Sequence, residues 1–239
     1  MFSKLRALAF LVLSLTTSVS AAASCPDLTL VLAIDSSSSI DADEFVMETE
    51  GYAQAFRNPG VLQALSDAGT VDVAVVFWAG LARSTYIMPW IRITSEADAL
   101  AVSDWFLAAT RKFNGDTEIG NGLRTALDLI DHHETCGLRR VVDVSGDGRA
   151  ELGSSRGPPR MTLKNARARA DGGGVTVNGL AIANEEPTLG QYYREELITG
   201  PGCFSMEVSS FNDFGTAIVE KLKRELRSEL VASLPSGQP

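Results

Sequence analysis

Oxygen-bearing side chains gather at three places in this 239-residue chain. Asp35-Ser-Ser-Ser-Ser39 places a carboxylate and two hydroxyls, those of Asp35, Ser37 and Ser39, at alternate positions, so an extended loop turns them to one side. A further hydroxyl, Thr117, sits in Asn114-Gly-Asp-Thr117, and Asp147 occupies the glycine-flanked turn Ser145-Gly-Asp-Gly148. Three hydroxyls and two carboxylates are all hard donors, suited to Mg²⁺ and after it to Mn²⁺ or Ca²⁺. Neutral hydroxyls as direct ligands, with carboxylates partly behind water, leave such a cation under-neutralised. A carboxylate from another protein can then complete its shell. That is binding chemistry, in which no bond breaks.

The elements around these residues predict where they meet. Leu28–Ile34 is almost wholly apolar, as a strand covered on both faces should be. Asp41 with Glu44 reads as a capping box opening a helix that turns Phe45, Thr49, Tyr52, Ala53 and Phe56 to one face. Strands are predicted over 71–78, 84–88 (ended or edged by Pro89), 139–145, 175–182 and 203–208. Helices are predicted over 95–109 (Leu100, Phe106 and Leu107 inward), 119–132 (Leu123, Ala126, Leu127 and Ile130 inward), 163–170, 189–198 and 211–230. The order βαββααβαβαβα describes a doubly wound α/β domain, a mostly parallel six-stranded sheet with one antiparallel edge strand and helices on both faces. Ligands of such sheets bind beyond the carboxyl ends of the strands. Asp35 and Asp147 both follow strands there.

These residues resemble the metal-ion-dependent adhesion site of von Willebrand factor A-type domains. That pattern is D-x-S-x-S after the first strand, a loop threonine, and an aspartate in a D-G turn after the fourth. Asp35, Ser37, Ser39, Thr117 and Asp147 match it, and the resemblance spans roughly residues 27–230. One departure is Gly146, directly before Asp147, where many relatives carry threonine. The stretches Val144-Ser-Gly-Asp-Gly148 and Tyr192-Tyr-Arg-Glu195 with Gly200-Pro-Gly202 are similar to an exported bacterial branch of these domains. The resemblance implies a cation-dependent protein-binding module, gripping an unidentified protein through its Asp or Glu, and no catalysis.

Plainer readings exist for each feature. Ser36 to Ser39 and Asp147-Gly148 are also turn sequences. Asp116 and Glu118 are read as solvated loop charges, and His132 and His133 as structural residues at a helix end, where positive charge is favoured. Lys164, Arg167 and Arg169 read as a solvated helix face, and Trp78, Trp90 and Trp105 as packing. Two rival functions remain open: a metal-dependent hydrolase of the phosphatase kind, and a structural domain with a vestigial site. The first lacks the second acid that aspartyl-phosphate chemistry needs two residues after the aspartate, because that position is Ser37.

The first residues predict export from the cytoplasm. Lys4, Arg6, the apolar run Leu8–Leu13 and Ala21-Ala-Ala23 read as a signal peptide over residues 1–23, too short to span a bilayer. A domain over 24–232 and a disordered tail over 233–239 follow. Past the signal, 19 basic residues stand against 30 acidic ones, a net −11 that disfavours nucleic acid. Periplasmic or extracellular residence follows, with lipid anchoring at Cys25 an alternative. Cys25 and Cys136 lie ten and eleven residues before Asp35 and Asp147. In the A-type strand order this puts both at the sheet edge away from the metal, predicting a Cys25–Cys136 disulfide with Cys203 free and buried.

Overall fold

A computed structural model describes residues 25–80, 85–112, 115–133, 137–151 and 161–227. The predicted signal peptide, the tail and Cys136 lie outside the described residues. The sheet contains β1 (Leu28–Asp35), β2 (Val71–Trp78), β3 (Thr85–Ile93), β4 (Arg139–Gly146), β5 (Thr176–Ile182) and β6 (Ser205–Val208). Its order is β3-β2-β1-β4-β5-β6, with β3 the antiparallel edge and every other pairing parallel. The order reverses between β1 and β4, the switch point at which such sheets open a crevice.

Helices cover both faces. On one lie α1 (Ala42–Ala55), α2 (Pro59–Ala68), α3 (Glu96–Ala108) and α7 (Phe214–Leu226). On the other lie α4 (Ile119–Asp131), α5 (Leu163–Gly172) and α6 (Leu189–Tyr192), which continues as a π turn over Tyr193–Leu197. Alternation along β1 builds both cores: Leu30, Leu32 and Ile34 pack with Phe45, Tyr52, Phe106 and Phe214, while Val31 and Ala33 pack with Ile119, Leu123, Ala166 and Tyr193. All eight residues of β1 are buried, as its apolar run predicts. The Asp41 capping box is present, its side chain accepting from the Asp43 and Glu44 amides.

Several expectations are corrected. α2 was not predicted, although Asn58 caps it, Pro59 occupies its first turn, and Val61, Ala64 and Leu65 are buried. β3 does not end at Pro89 but runs to Ile93. Val73 pairs with Ile91 and Val75 with Met88, so Pro89 and Trp90 stand opposite Ala74 alone, a bulge at which the missing amide is tolerated. Leu107 is exposed rather than inward, and Cys203, a free thiol as expected, is half-buried rather than buried. Cys25 is disulfide-bonded.

Arg167 and Arg169 are not a free solvated face. Arg169 bridges Asp128 and Asp131 of α4, and Arg167 donates to the Glu195 and Ile198 carbonyls. His133 does serve structure: its Nε2 lies 2.8 Å from Asp72 Oδ2 and its ring stacks on Trp90 at 4.2 Å. One buried ionic cluster had no counterpart in the sequence reading. Lys221 of α7 is fully buried between Asp143 of β4 and Glu225 of α7, and Asn178 of β5 donates to Glu225 at 3.0 Å.

Candidate metal-binding site

The loops after β1, β2 and β4 and the loop entering α4 meet above the switch point. Backbone hydrogen bonds tie them: Ser38 N to Gly115 O (2.8 Å), Gly80 N to Asp116 O (2.7 Å), and Glu151 N to Thr117 O (2.8 Å). Gly80 makes its turn at φ 47°, a left-handed conformation that suits glycine. α4 seats deeply because it has no side chain where it crosses β2. A Cβ on Gly122 would lie 2.5 Å from the Trp78 ring. That seating fixes the helix entry carrying Thr117.

The five predicted residues come together. Asp35 Oδ1 accepts from the Ser37 amide at 2.8 Å, and the Ser37 and Ser39 hydroxyls are 3.1 Å apart. Ser39 donates to Asp147 Oδ1 at 2.7 Å, and Thr117 donates to Ser37 Oγ at 3.3 Å. Residues 35 and 147 therefore share one chain of contacts that passes through the Ser37 and Ser39 hydroxyls, with Thr117 joined to it at Ser37. Ser39 alone of the five is exposed; Asp35 and Ser37 are fully buried, with Thr117 and Asp147 nearly so. Gly146 fits this crowding. A Cβ there would lie 2.8 Å from Asp35 Oδ2 and 3.0 Å from the Tyr193 hydroxyl, so the threonine of many relatives has no room in this arrangement.

The site is electrostatically tense. Burial first, and then the Asp147 charge, push the Asp35 carboxyl up to about 8 from its ordinary 3.8, against two hydrogen bonds from Ser37 and the Arg111 charge. Burial also raises Asp147, opposed by the Ser39 hydrogen bond. Asp35 Oδ2 is buried with no hydrogen-bond partner. A buried acceptor beside a second carboxylate, lined by hydroxyls, is a donor set that a small divalent cation fits. Asp35, Ser37, Ser39, Thr117 and Asp147 are the residues that would hold it.

Three neighbours escaped the sequence reading. Arg111 donates to the Ser36 and Ser37 carbonyls and so braces the first loop from below. Tyr193 buries its hydroxyl without a partner beside Gly146. Glu48 is buried on α1 with neither oxygen hydrogen-bonded. Glu48 was legible in principle, since it falls at the i+3 position of the predicted inward stripe that starts at Phe45. Of the flanking acids, Asp116 is exposed as expected. Glu118 is instead buried, its carboxylate accepting from Asn121 at the start of α4.

This doubly wound sheet, with its loop cluster at the switch point, has the fold of von Willebrand factor A-type domains. It covers 84% of this chain in alignment with the pilus adhesin SpaC from Lactobacillus rhamnosus GG in an open conformation, at TM-score 0.61 and 14% identity, and 30% of that chain. Proximal thread matrix protein 1 from the mussel byssus, in a structure with a zinc-occupied MIDAS motif, aligns at TM-score 0.54 and 18% identity over 84% of this chain and 46% of its own. The vWF domain of the type V pili tip protein Mfa5 from Porphyromonas gingivalis aligns at TM-score 0.55 and 11% identity, over 86% and 98%. The chain thus spans under a third of the pilus adhesin and under half of the byssus protein. No curated protein matches it. The chain belongs to the family described as protein of unknown function DUF1194, whose pattern it matches over residues 24–230.

Proposed function

We propose that this protein is an exported, cation-dependent protein-binding module. A divalent ion, Mg²⁺ by preference with Mn²⁺ or Ca²⁺ as substitutes, is held by Asp35, Ser37, Ser39, Thr117 and Asp147, and a partner's Asp or Glu completes its shell. The observation that carries this reading is the meeting of those five side chains around a buried, unpartnered Asp35 oxygen. The ion would supply positive charge where two buried carboxylates repel each other, and it would leave a Lewis-acidic position for an incoming carboxylate. Ser39, the exposed member, marks the side from which that carboxylate arrives.

Two likenesses support the class of activity. Pilus adhesins share the fold, and the byssus protein carries zinc in its own motif. Among the described residues no helix is long and apolar enough to cross a membrane, which suits a module free in the periplasm or outside the cell.

The test is thermal unfolding of the full chain with EDTA, Mg²⁺ or Mn²⁺, beside Thr117→Val. A ligand that binds only the folded state raises the melting temperature by mass action. The wild type should rise with metal and the variant much less. No rise at millimolar metal leaves a structural domain, and phosphoester turnover that vanishes in Asp35→Ala would replace binding by hydrolysis.

A further inference from the structure

Glu48 is the group that the five-residue site does not account for. It stands on α1 between two residues whose positions bracket it. Glu44, one turn earlier, is at the rim, its carboxylate accepting from the Asp41 amide at 2.8 Å and from Asn184 at 3.3 Å. Tyr52, one turn later, reaches β4, its hydroxyl 3.4 Å from that of Ser145, two residues before Asp147. Glu48 therefore projects from α1 toward the end of the sheet where β1 and β4 deliver Asp35 and Asp147. It is fully buried, and both of its oxygens lack a hydrogen-bond partner.

A carboxyl so placed is costly unless something compensates it. The protein offers little. Asp35, Asp147 and Glu44 face it with like charge, and Arg111 is the cation that opposes them. One nitrogen of that guanidinium donates to the Ser36 and Ser37 carbonyls, its Nε is buried without a partner, and no hydrogen bond from it reaches either Glu48 oxygen. A neutral methionine or leucine would fill the same space on an apolar helix face at no electrostatic cost. What a carboxylate adds there is negative charge directed at the proposed cation.

We propose that Glu48 is a sixth residue of the metal site, a carboxylate standing behind the five and acting on the divalent ion through its bound water. The outer position follows from the donor arrangement: among the described residues no three acidic, histidine or cysteine side chains converge closely enough to grip one ion directly. Glu48 supplies the third negative charge of a site whose direct donors are largely neutral hydroxyls. It holds the ion in place from the buried side, which leaves the exposed side to the partner. The inference rests on the cation reading above.

The experiment is calorimetric titration of the full chain with MnCl₂ and with MgCl₂ alone, comparing wild type, Glu48→Gln and Glu48→Asp, with circular dichroism and melting in EDTA as the structural control. Loss of an outer carboxylate commonly lowers metal affinity about 10–100-fold. Glu48→Gln should show that loss while folding in EDTA with a melting temperature at or above the wild type, and Glu48→Asp should recover part of the affinity. Equal affinity in Glu48→Gln overturns the role of Glu48 and leaves the five-residue site standing. A Glu48→Gln chain that cannot fold without metal also overturns it, because the carboxyl would then be serving the fold. No binding by the wild type overturns both readings at once.

Discussion

Replacing Asp35 by Asn should stabilise the metal-free protein while removing its response to metal. The unfolded chain releases the Asp35 proton near 3.8, whereas the fold holds it up to about 8. At pH 7 folding must therefore keep a proton on this carboxyl that the unfolded chain has given up. At about 1.4 kcal/mol per pH unit, that penalty is roughly 4 kcal/mol. Asparagine carries no such penalty and can still accept the Ser37 amide hydrogen bond. It also buries an amide NH₂ in place of Asp35 Oδ2, which has no partner, and an unsatisfied group of that kind costs about 1–3 kcal/mol. The net gain is thus about 1–3 kcal/mol, or several degrees at about 2–4 °C per kcal/mol for a domain of this size. Differential scanning calorimetry in EDTA and in 10 mM Mg²⁺ reads both effects. The expected signature is a crossing: Asp35→Asn melts above the wild type in EDTA and gains almost nothing from Mg²⁺. A variant that melts below the wild type in EDTA and still responds to metal would refute the claim that Asp35 is a tense cation ligand.

Three further outcomes are expected. Metal-free stability should fall as pH rises from about 4 to about 8, because Asp35, Asp147 and Glu48 all hold protons in the fold that the unfolded chain releases there; the metal-induced rise in melting temperature should be small at pH 5 and grow toward pH 8, and a response independent of pH would contradict it. Lys221→Met strips the cation from Asp143 and Glu225, both buried, and should cost about 3–5 kcal/mol while the remaining protein still binds metal; an unchanged melting temperature would mean the cluster is not held as an ion network. Peptide mapping of the oxidised protein should recover Cys25 joined to Cys136 and an alkylatable Cys203; Cys25 joined to Cys203, or lipidated, would dismiss that pairing.

Wherever one residue type had one structural meaning, the fold was readable in advance. The unbroken apolar run of β1, the Asp41–Glu44 capping box and the stripe Phe45–Thr49–Tyr52–Phe56 each admit a single interpretation, and each stands as expected. α2 escaped because ten residues with three buried positions make a weak period, although Asn58-Pro59 is a start signal. β3 was cut short because a proline inside a strand is tolerated only at a bulge, and a bulge is a property of two strands rather than one.

The site divides along the same line. Its five donors carry a spacing that can be read, and loops fastened by Ser38, Gly80 and Glu151 bring them to one place. Glu48 and Lys221 are charges within apolar helix faces, and their meaning depends on what stands across the sheet. For Lys221 the partners are Asp143 and Glu225, and burial, which alone would weaken its hold on a proton, is outweighed by both. For Glu48 the described residues provide no such partner. Tyr193 falls in a stretch that resembles a family signature, and its place beside Gly146, within reach of the Asp35 and Asp147 charges, is what connects it to the site.

Crystals of the full chain grown with MnCl₂ and measured for anomalous scattering would locate the ion itself. The account predicts one strong peak among the side chains of Asp35, Ser37, Ser39, Thr117 and Asp147, absent from crystals of Asp35→Asn. A peak elsewhere, or none at millimolar Mn²⁺, would contradict it.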